Sequence, residues 1–200
     1  MSLARFQFLV WTLVVLSAII TAALTNGFFG AASPLAIQVP QELWVLLGIS
    51  SVSAVAAPTV LNQKDDKTPD PKQLKKTLEE LQRTDRVRVD ENLSSIVLRN
   101  VSPADARWGD LLKGDESGDA ATVDLGKLQM FFFTFVLALG YAVAIAQMLA
   151  STAAVTGLPV VDSTVNTLLG ISHTGYLANK TVTHSREGES AKKPEGQPEG

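Results

Sequence analysis

"LLGIS" stands at residues 46–50 and again at residues 168–172, a displacement of 122 residues. The same displacement aligns a second, distant pair of stretches. "SLARFQFLVWTLV" (residues 2–14) falls on "DLGKLQMFFFTFV" (residues 124–136). Leu3 then matches Leu125, Gln7 matches Gln129, Thr12 matches Thr134 and Val14 matches Val136, while Arg5 falls on Lys127. Ser2 falls on Asp124, and both are residue types that cap helix N-termini. Beyond the pentapeptide, Ala56 matches Ala178, Thr59 matches Thr181 and Val60 matches Val182. Two separated blocks that agree on one displacement indicate a duplicated helical hairpin. Each copy has an apolar helix, a short loop and a second helix rich in small residues.

The chain has 200 residues, of which 46% are hydrophobic and 18% charged, and the apolar ones are bunched. Residues 6–24 and 128–150 carry no charge at all. Crossing the hydrocarbon core takes about 20 apolar residues at about 1.5 Å rise each, and both stretches reach that length. The competing reading, two buried helices of a soluble core, lacks the material to cover helices that are apolar all round. A second competing reading is a cleaved signal peptide ending near "TAALTNG". Its apolar run exceeds the usual h-region of about 7–15 residues, and the duplication argues against it. Residues 42–61 carry Glu42 and Pro58, and residues 160–179 carry Asp162, Asn166, His173 and Asn179. Hydropathy alone leaves these two open, but each holds the same place in its repeat. The expectation is an all-α integral membrane protein with four transmembrane helices in two like-oriented hairpin repeats. The repeats are residues 2–61 and 124–182. A cytoplasmic insert at 62–123 separates them, and a polar tail at 183–200, rich in Gly and Pro, is expected to be disordered.

Of the 17 Lys and Arg residues, none falls in residues 6–61 or 128–179. Arg5 precedes the first apolar stretch, most of the others lie between Lys64 and Lys127, and Lys180, Arg186, Lys192 and Lys193 close the chain. Basic residues near helix ends stay on the cytoplasmic side. Both termini and the insert are therefore expected in the cytoplasm, with residues 25–41 and 151–159 facing outward. Phe6, Phe8, Trp11 and Phe131–Phe133 mark the inner ends of their helices, where lipid anchoring outweighs a ligand role.

Within the insert, "PKQLKKTLEELQR" (residues 71–83) predicts a helix with Pro at its first position and a narrow stripe of Leu74, Leu78 and Leu81. Residues 86–101 alternate β-branched and polar residues and suggest a small hairpin. In "SPADARWGDLLKGDESGD", Ala104, Trp108, Leu111 and Leu112 fall on one helical face. That face is a candidate contact for the membrane surface or a partner protein. An insert of this size buries little core alone, so it is expected to lean on the bilayer or on a partner.

The candidate sites are few. Gly48, Ser50, Ser51, Ser53 and Ala54 recur in kind as Gly170, Ser172 and Gly175. Small residues let membrane helices approach closely, so this is a packing face or, alternatively, a polar path between the second and fourth spans. His173 is ionisable inside a span and so a functional candidate. With no carboxylate beside it, a hydrogen bond to a serine or a carbonyl is expected. Gln7 and Gln129 suit hydrogen bonds across helices. The acidic run Asp110, Asp115, Glu116 and Asp119 lacks EF-hand spacing and reads as a solvated turn. There is no cysteine, no Walker A, no zinc signature and no nucleophile elbow. No catalytic residue, metal or cofactor is expected, and the net charge of −3 points away from nucleic acid.

At "NVSPADARWGDLLKGDE", "DLGKLQMFFFTFV" and "LLGISHTGYLANK" the chain resembles an uncharacterised family of small bacterial multi-pass membrane proteins. The resemblance covers residues 2–180 and implies a bacterial inner membrane. It carries over no activity. The functional expectation is non-enzymatic: a membrane anchor or assembly subunit that recruits a cytoplasmic or membrane protein, with homo-oligomerisation open. The alternative is an oligomeric channel or small transporter lined by the second and fourth spans.

Overall fold

Uncharged runs of Leu, Val, Ile, Ala and Phe satisfy their backbone polar groups most simply as helices, and helices dominate here. The computed structural model describes residues 2–83, 94–100, 102–150 and 154–188. It contains α1 (Leu3–Phe28), α2 (Gln41–Asn62), α3 (Pro71–Arg83), α4 (Leu125–Leu149) and α5 (Ser163–Thr181). Two 3-10 turns, Pro103–Asp105 and Trp108–Leu111, precede α4. Among the described residues there is no strand, only isolated bridges. Most of the hairpin expected at residues 86–101 lies outside the described residues. α1 and α4 begin 122 residues apart, and so do α2 and α5.

The chain divides into two units. The first takes in residues 59–124 and the chain from Lys180 onward; the second takes in Ser2–Pro58 and Leu125–Asn179.

The second unit is the helical bundle. α1, α2 and α4 are long and apolar enough to cross a membrane. α5 is not, because Asn166, His173, Asn179 and Lys180 dilute its apolar residues. Apolar side chains line the outside of the bundle as well as its core. α1 buries Gln7 and Asn26 but exposes Leu9, Leu13, Leu16, Ile20 and Leu24. α4 buries Thr134 and Lys127 but exposes Phe132, Phe135, Val136, Leu139 and Val143. Isolated apolar residues on a surface are ordinary, but stripes along whole helices mark an apolar surrounding.

α1 packs along α4. Its buried face holds Ala4, Ala18 and Ala22, and that of α4 holds Ala138, small residues that admit close backbone approach. α1 stops where Gly30 takes a φ of 68°, a left-handed conformation that suits glycine. Beyond it, the loops of the two hairpins pair. Gln38 donates its N–H to the Thr156 carbonyl (2.9 Å) and accepts from Leu158 N–H (2.9 Å). The buried Asn26 amide completes the junction, donating to the Val155 carbonyl (2.8 Å) and accepting from Val155 N–H (2.6 Å).

The first unit is held mainly by polar groups. Asp70 caps α3, its Oδ1 accepting from Lys72 N–H (2.7 Å) and Gln73 N–H (3.3 Å). Thr77 and Leu81 face inward from α3. Ile96, Val97, Leu111 and Ala120 supply the remaining buried apolar side chains. At the centre lies Glu116. Its Oε1 pairs with the buried Lys64 ammonium at 2.5 Å, and its Oε2 accepts from His184 N–H (2.8 Å) and Ser185 N–H (3.0 Å). Lys64 also donates to the Val182 carbonyl, and Ser185 Oγ accepts from Gly118 N–H (2.9 Å).

Residues 183–188, which composition places in a disordered tail, are therefore an ordered strap. Arg186 O accepts from Asp70 N–H, Gly188 N–H reaches the Thr68 carbonyl, and Glu187 pairs with Lys67. Residues 189–200 lie outside the described residues. The insert, expected at 62–123 to lean on the bilayer or on a partner, here also takes in chain from beyond α5. It recruits the strap, because Glu116 and Lys64 need backbone partners that the insert does not supply.

The strap passes so close to the turn that a Cβ on Gly118 would sit 2.1 Å from the His184 carbonyl oxygen. Gly118→Ala should loosen the first unit by about 1–3 kcal/mol, the usual range for overpacking. Faster limited proteolysis of the 59–124 segment would register this. Gly48→Ala serves as the control, since its added Cβ meets nothing within 4 Å.

Candidate functional site

The bundle holds a polar layer between two apolar ones. On one side lies a cluster of Trp11, Leu46, Ala138, Tyr141 and Leu169 with its neighbours. On the other lie Leu3, Ala4, Ala57, Met130 and Tyr176. Every helix of the bundle contributes polar residues between these two levels. α1 gives Gln7, α2 gives Ser50 and Ser53, α4 gives Thr134, and α5 gives Ser172 and His173, all buried. Helical spacing explains the arrangement: Gln7, Thr134, Ser172 and His173 each lie about one turn from a member of each cluster on their own helix, and Ser50 and Ser53 fill the two turns between Leu46 and Ala57.

Two cross-helix links run through the layer. The Gln7 amide nitrogen donates to the Met130 carbonyl (2.9 Å) and to the Thr134 hydroxyl, tying α1 to α4. His173 Nδ1 and Ser53 Oγ lie 2.7 Å apart and share a hydrogen bond, tying α5 to α2. A third link, nearer the loops, runs from the Asn166 amide to the Glu42 carbonyl (3.0 Å). Gln7 Oε1, Trp11 Nε1, Asn166 Oδ1, Ser172 Oγ and His173 Nε2 have no hydrogen-bond partner among the described residues. The layer thus has spare donor and acceptor capacity.

The residues singled out as a small-residue face fall into two groups. Ser50, Ser53, Ser172 and His173 point inward. Gly48 and Gly175 are exposed, with nothing within 4 Å of where a Cβ would stand. Gly170 would reach only Ile49, at 4.0 Å, and Ser51 bonds back to the Gly48 carbonyl of its own turn. The expected close approach of α2 and α5 through glycines is thereby corrected. These helices meet through side chains, and the close backbone pair is α1 with α4. Gln129, the repeat mate of Gln7, is exposed and makes no matching link.

The insert face is also revised. Trp108 is 70% exposed, but Leu111 is 3% exposed and so unavailable to a partner, and Leu112 is half-buried. A 3-10 turn replaces the expected α-helix, so the four apolar residues do not share one stripe. The acidic run is consumed internally. Asp110 accepts from Arg107 N–H and from Asn100, Asp115 pairs with Lys180, Glu116 with Lys64, and Asp119 accepts from Glu116 N–H. No cluster suited to a metal ion is found among the described residues.

Sequence reasoning missed the buried Lys64–Glu116 pair and the Asn26 clamp. Their partners lie 52 and 129 residues away, beyond any local pattern. Comparison with protein-family models, with curated proteins and with solved structures gives no match.

Ser53→Ala should cost about 0.6–2 kcal/mol, the range for hydrogen bonds between membrane helices, because His173 Nδ1 loses its partner. Reversible unfolding in mixed detergent, run as a double-mutant cycle with His173→Phe, should give a non-additive pair. Strict additivity would mean the contact contributes nothing.

A second expectation concerns acid. Burial raises the Asp119 carboxyl above its ordinary 3.8, outweighing the opposing Glu116 N–H and His184. The folded state therefore prefers the protonated form, and that preference is lost as pH climbs through the folded-state pKa. Asp119→Asn retains an acceptor for Glu116 N–H and should make the first unit more stable than wild type at neutral pH. The difference should vanish on acidification below 3.8. Thermal unfolding followed across pH measures it.

Proposed function

We propose that this chain is a bacterial inner-membrane protein with four spans, α1, α2, α4 and α5, arranged as two like-oriented hairpin repeats. The matching starts of α1 with α4 and of α2 with α5 support the repeat. α5 joins the spans because it holds the place of α2, and because its polar residues Asn166, Ser172 and His173 are buried or half-buried rather than turned outward. The distribution of Lys and Arg supports cytoplasmic termini and a cytoplasmic insert.

Its role is that of a non-enzymatic anchor or assembly subunit whose cytoplasmic unit recruits a protein partner. One observation carries this over the channel reading. The polar layer is closed on both sides by apolar clusters that contain Trp11 and Tyr141 on one side and Met130 and Tyr176 on the other. A conducting route needs polar lining along its whole length, and the bundle has one turn of it. The first unit, in contrast, is a folded body closed by its own ion pairs, which suits docking. The spare capacity of Ser172 and His173 favours the transporter alternative, in which oligomers would complete the path.

The natural absence of cysteine allows a direct test. Ala32→Cys and Thr156→Cys, both at exposed positions, should react with an impermeant thiol reagent in intact cells, whereas Lys76→Cys and Arg186→Cys should react only after lysis. The purified protein in liposomes should give no ion flux above empty vesicles. A flux abolished by His173→Phe would replace the anchor with the transporter.

A further inference from the structure

Trp108 is the most exposed large apolar side chain among the described residues of the first unit, at 70%. The segment that carries it is tied to the chain leading into α4. Asp124 N–H donates to the Leu112 carbonyl (2.9 Å), Gly114 N–H donates to the Thr122 carbonyl (3.2 Å), and Lys113 bridges Val123 between them. Asp124 is peptide-bonded to Leu125, the first residue of α4. Bridged Cα atoms lie about 5 Å apart and a 3-10 turn rises about 2 Å per residue. The Trp108 backbone is therefore tethered within about 17 Å of the point where α4 begins. Exposed Val123 and Leu125 flank that point.

We propose that the turn Trp108–Leu111 is a membrane-surface contact, with the Trp108 indole seated among the lipid headgroups beside the start of α4. The inference rests on α4 being a membrane span. Area decides between lipid and protein as the occupant. A stable protein interface covers about 800 Å² on each side, whereas one aromatic residue buries about 150–250 Å². Leu111 in the turn is inside and Leu112 after it is half-buried, so among the described residues the patch is one indole with Val123 near the end of the tether. That is too little for a partner protein. It matches the amphipathic ring, apolar body and N–H donor, that collects at membrane–water interfaces. The apolar surface of α4, with Phe132 and Phe135 exposed further along, continues from the same point into the bilayer.

Bromine-labelled lipids test this with the full chain in vesicles. The protein has three tryptophans. Trp11→Phe with Trp44→Phe leaves Trp108 alone, and Trp11→Phe with Trp108→Phe leaves Trp44, 58% exposed on α2, as the control. Trp108 emission should be quenched by lipid brominated near the headgroup end of the acyl chain, and less by lipid brominated near the methyl end. It should also resist aqueous acrylamide. Should Trp11→Phe fail to fold, the difference between wild-type emission and that of Trp108→Phe supplies the same reading. Quenching of Trp44 by lipid without quenching of Trp108 overturns the proposal and leaves the membrane reading intact. Failure of lipid to quench either one overturns both. A Trp108 open to acrylamide in vesicles, and shielded only when a cytosolic extract is added, overturns the lipid contact in favour of a protein one.

Discussion

The Gln7 amide, bonded to the Met130 carbonyl and the Thr134 hydroxyl, shows the constraint under which the whole bundle is built. Helices without water beside them must find hydrogen-bond partners within the protein. Apolar side chains cannot hold such helices together by escaping water, because the surroundings are as apolar as they are. Cohesion then falls to close packing and to a few polar links. The alanines on the α1 and α4 faces supply the first. Gln7, His173 with Ser53, Asn166 and Asn26 supply the second. Each link joins the N-terminal hairpin to the C-terminal one, so the halves are sewn together rather than merely adjacent.

The other unit solves a different problem with related means. It has few apolar side chains to bury, so a carboxylate takes the central place. Removing a charge from water is costly unless it is paired and hydrogen-bonded. Glu116 meets that demand with one ammonium and two backbone N–H groups. The requirement fixes three separate stretches at once: the end of α2, the turn around Gly118 and the strap beyond α5.

What could be read from sequence follows from how far each signal reaches. α3 spans the predicted residues because its cues, Pro71 and the leucine spacing, are local. α1 with α4, and α2 with α5, start 122 residues apart, the displacement that aligns the matching stretches of sequence. Burial within those helices does not follow that displacement. Gln7 is buried and Gln129 exposed, while Arg5 is exposed and Lys127 buried. At the displacement of 122 residues, the inward face of α4 is rotated by about one residue, roughly 100°, relative to that of α1. Matching stretches of sequence start matching helices, whereas the inward face of each is set by the neighbours it packs against. Gly175 is likewise exposed where Ser53, 122 residues earlier, is buried. The strap was illegible because its composition is that of a linker, and its partners lie some 68 residues earlier.

That separation has a consequence in time. Glu116 and Lys64 leave the ribosome well before His184 and Ser185, which stand 68 and 69 residues beyond Glu116. At about 5–20 residues per second, synthesis of the interval takes about 3–14 s. Both α4 and α5 are made during that wait. The first unit closes only once α5 and the strap that follows it have been made, so its closure reports that the whole helical bundle has already been synthesised.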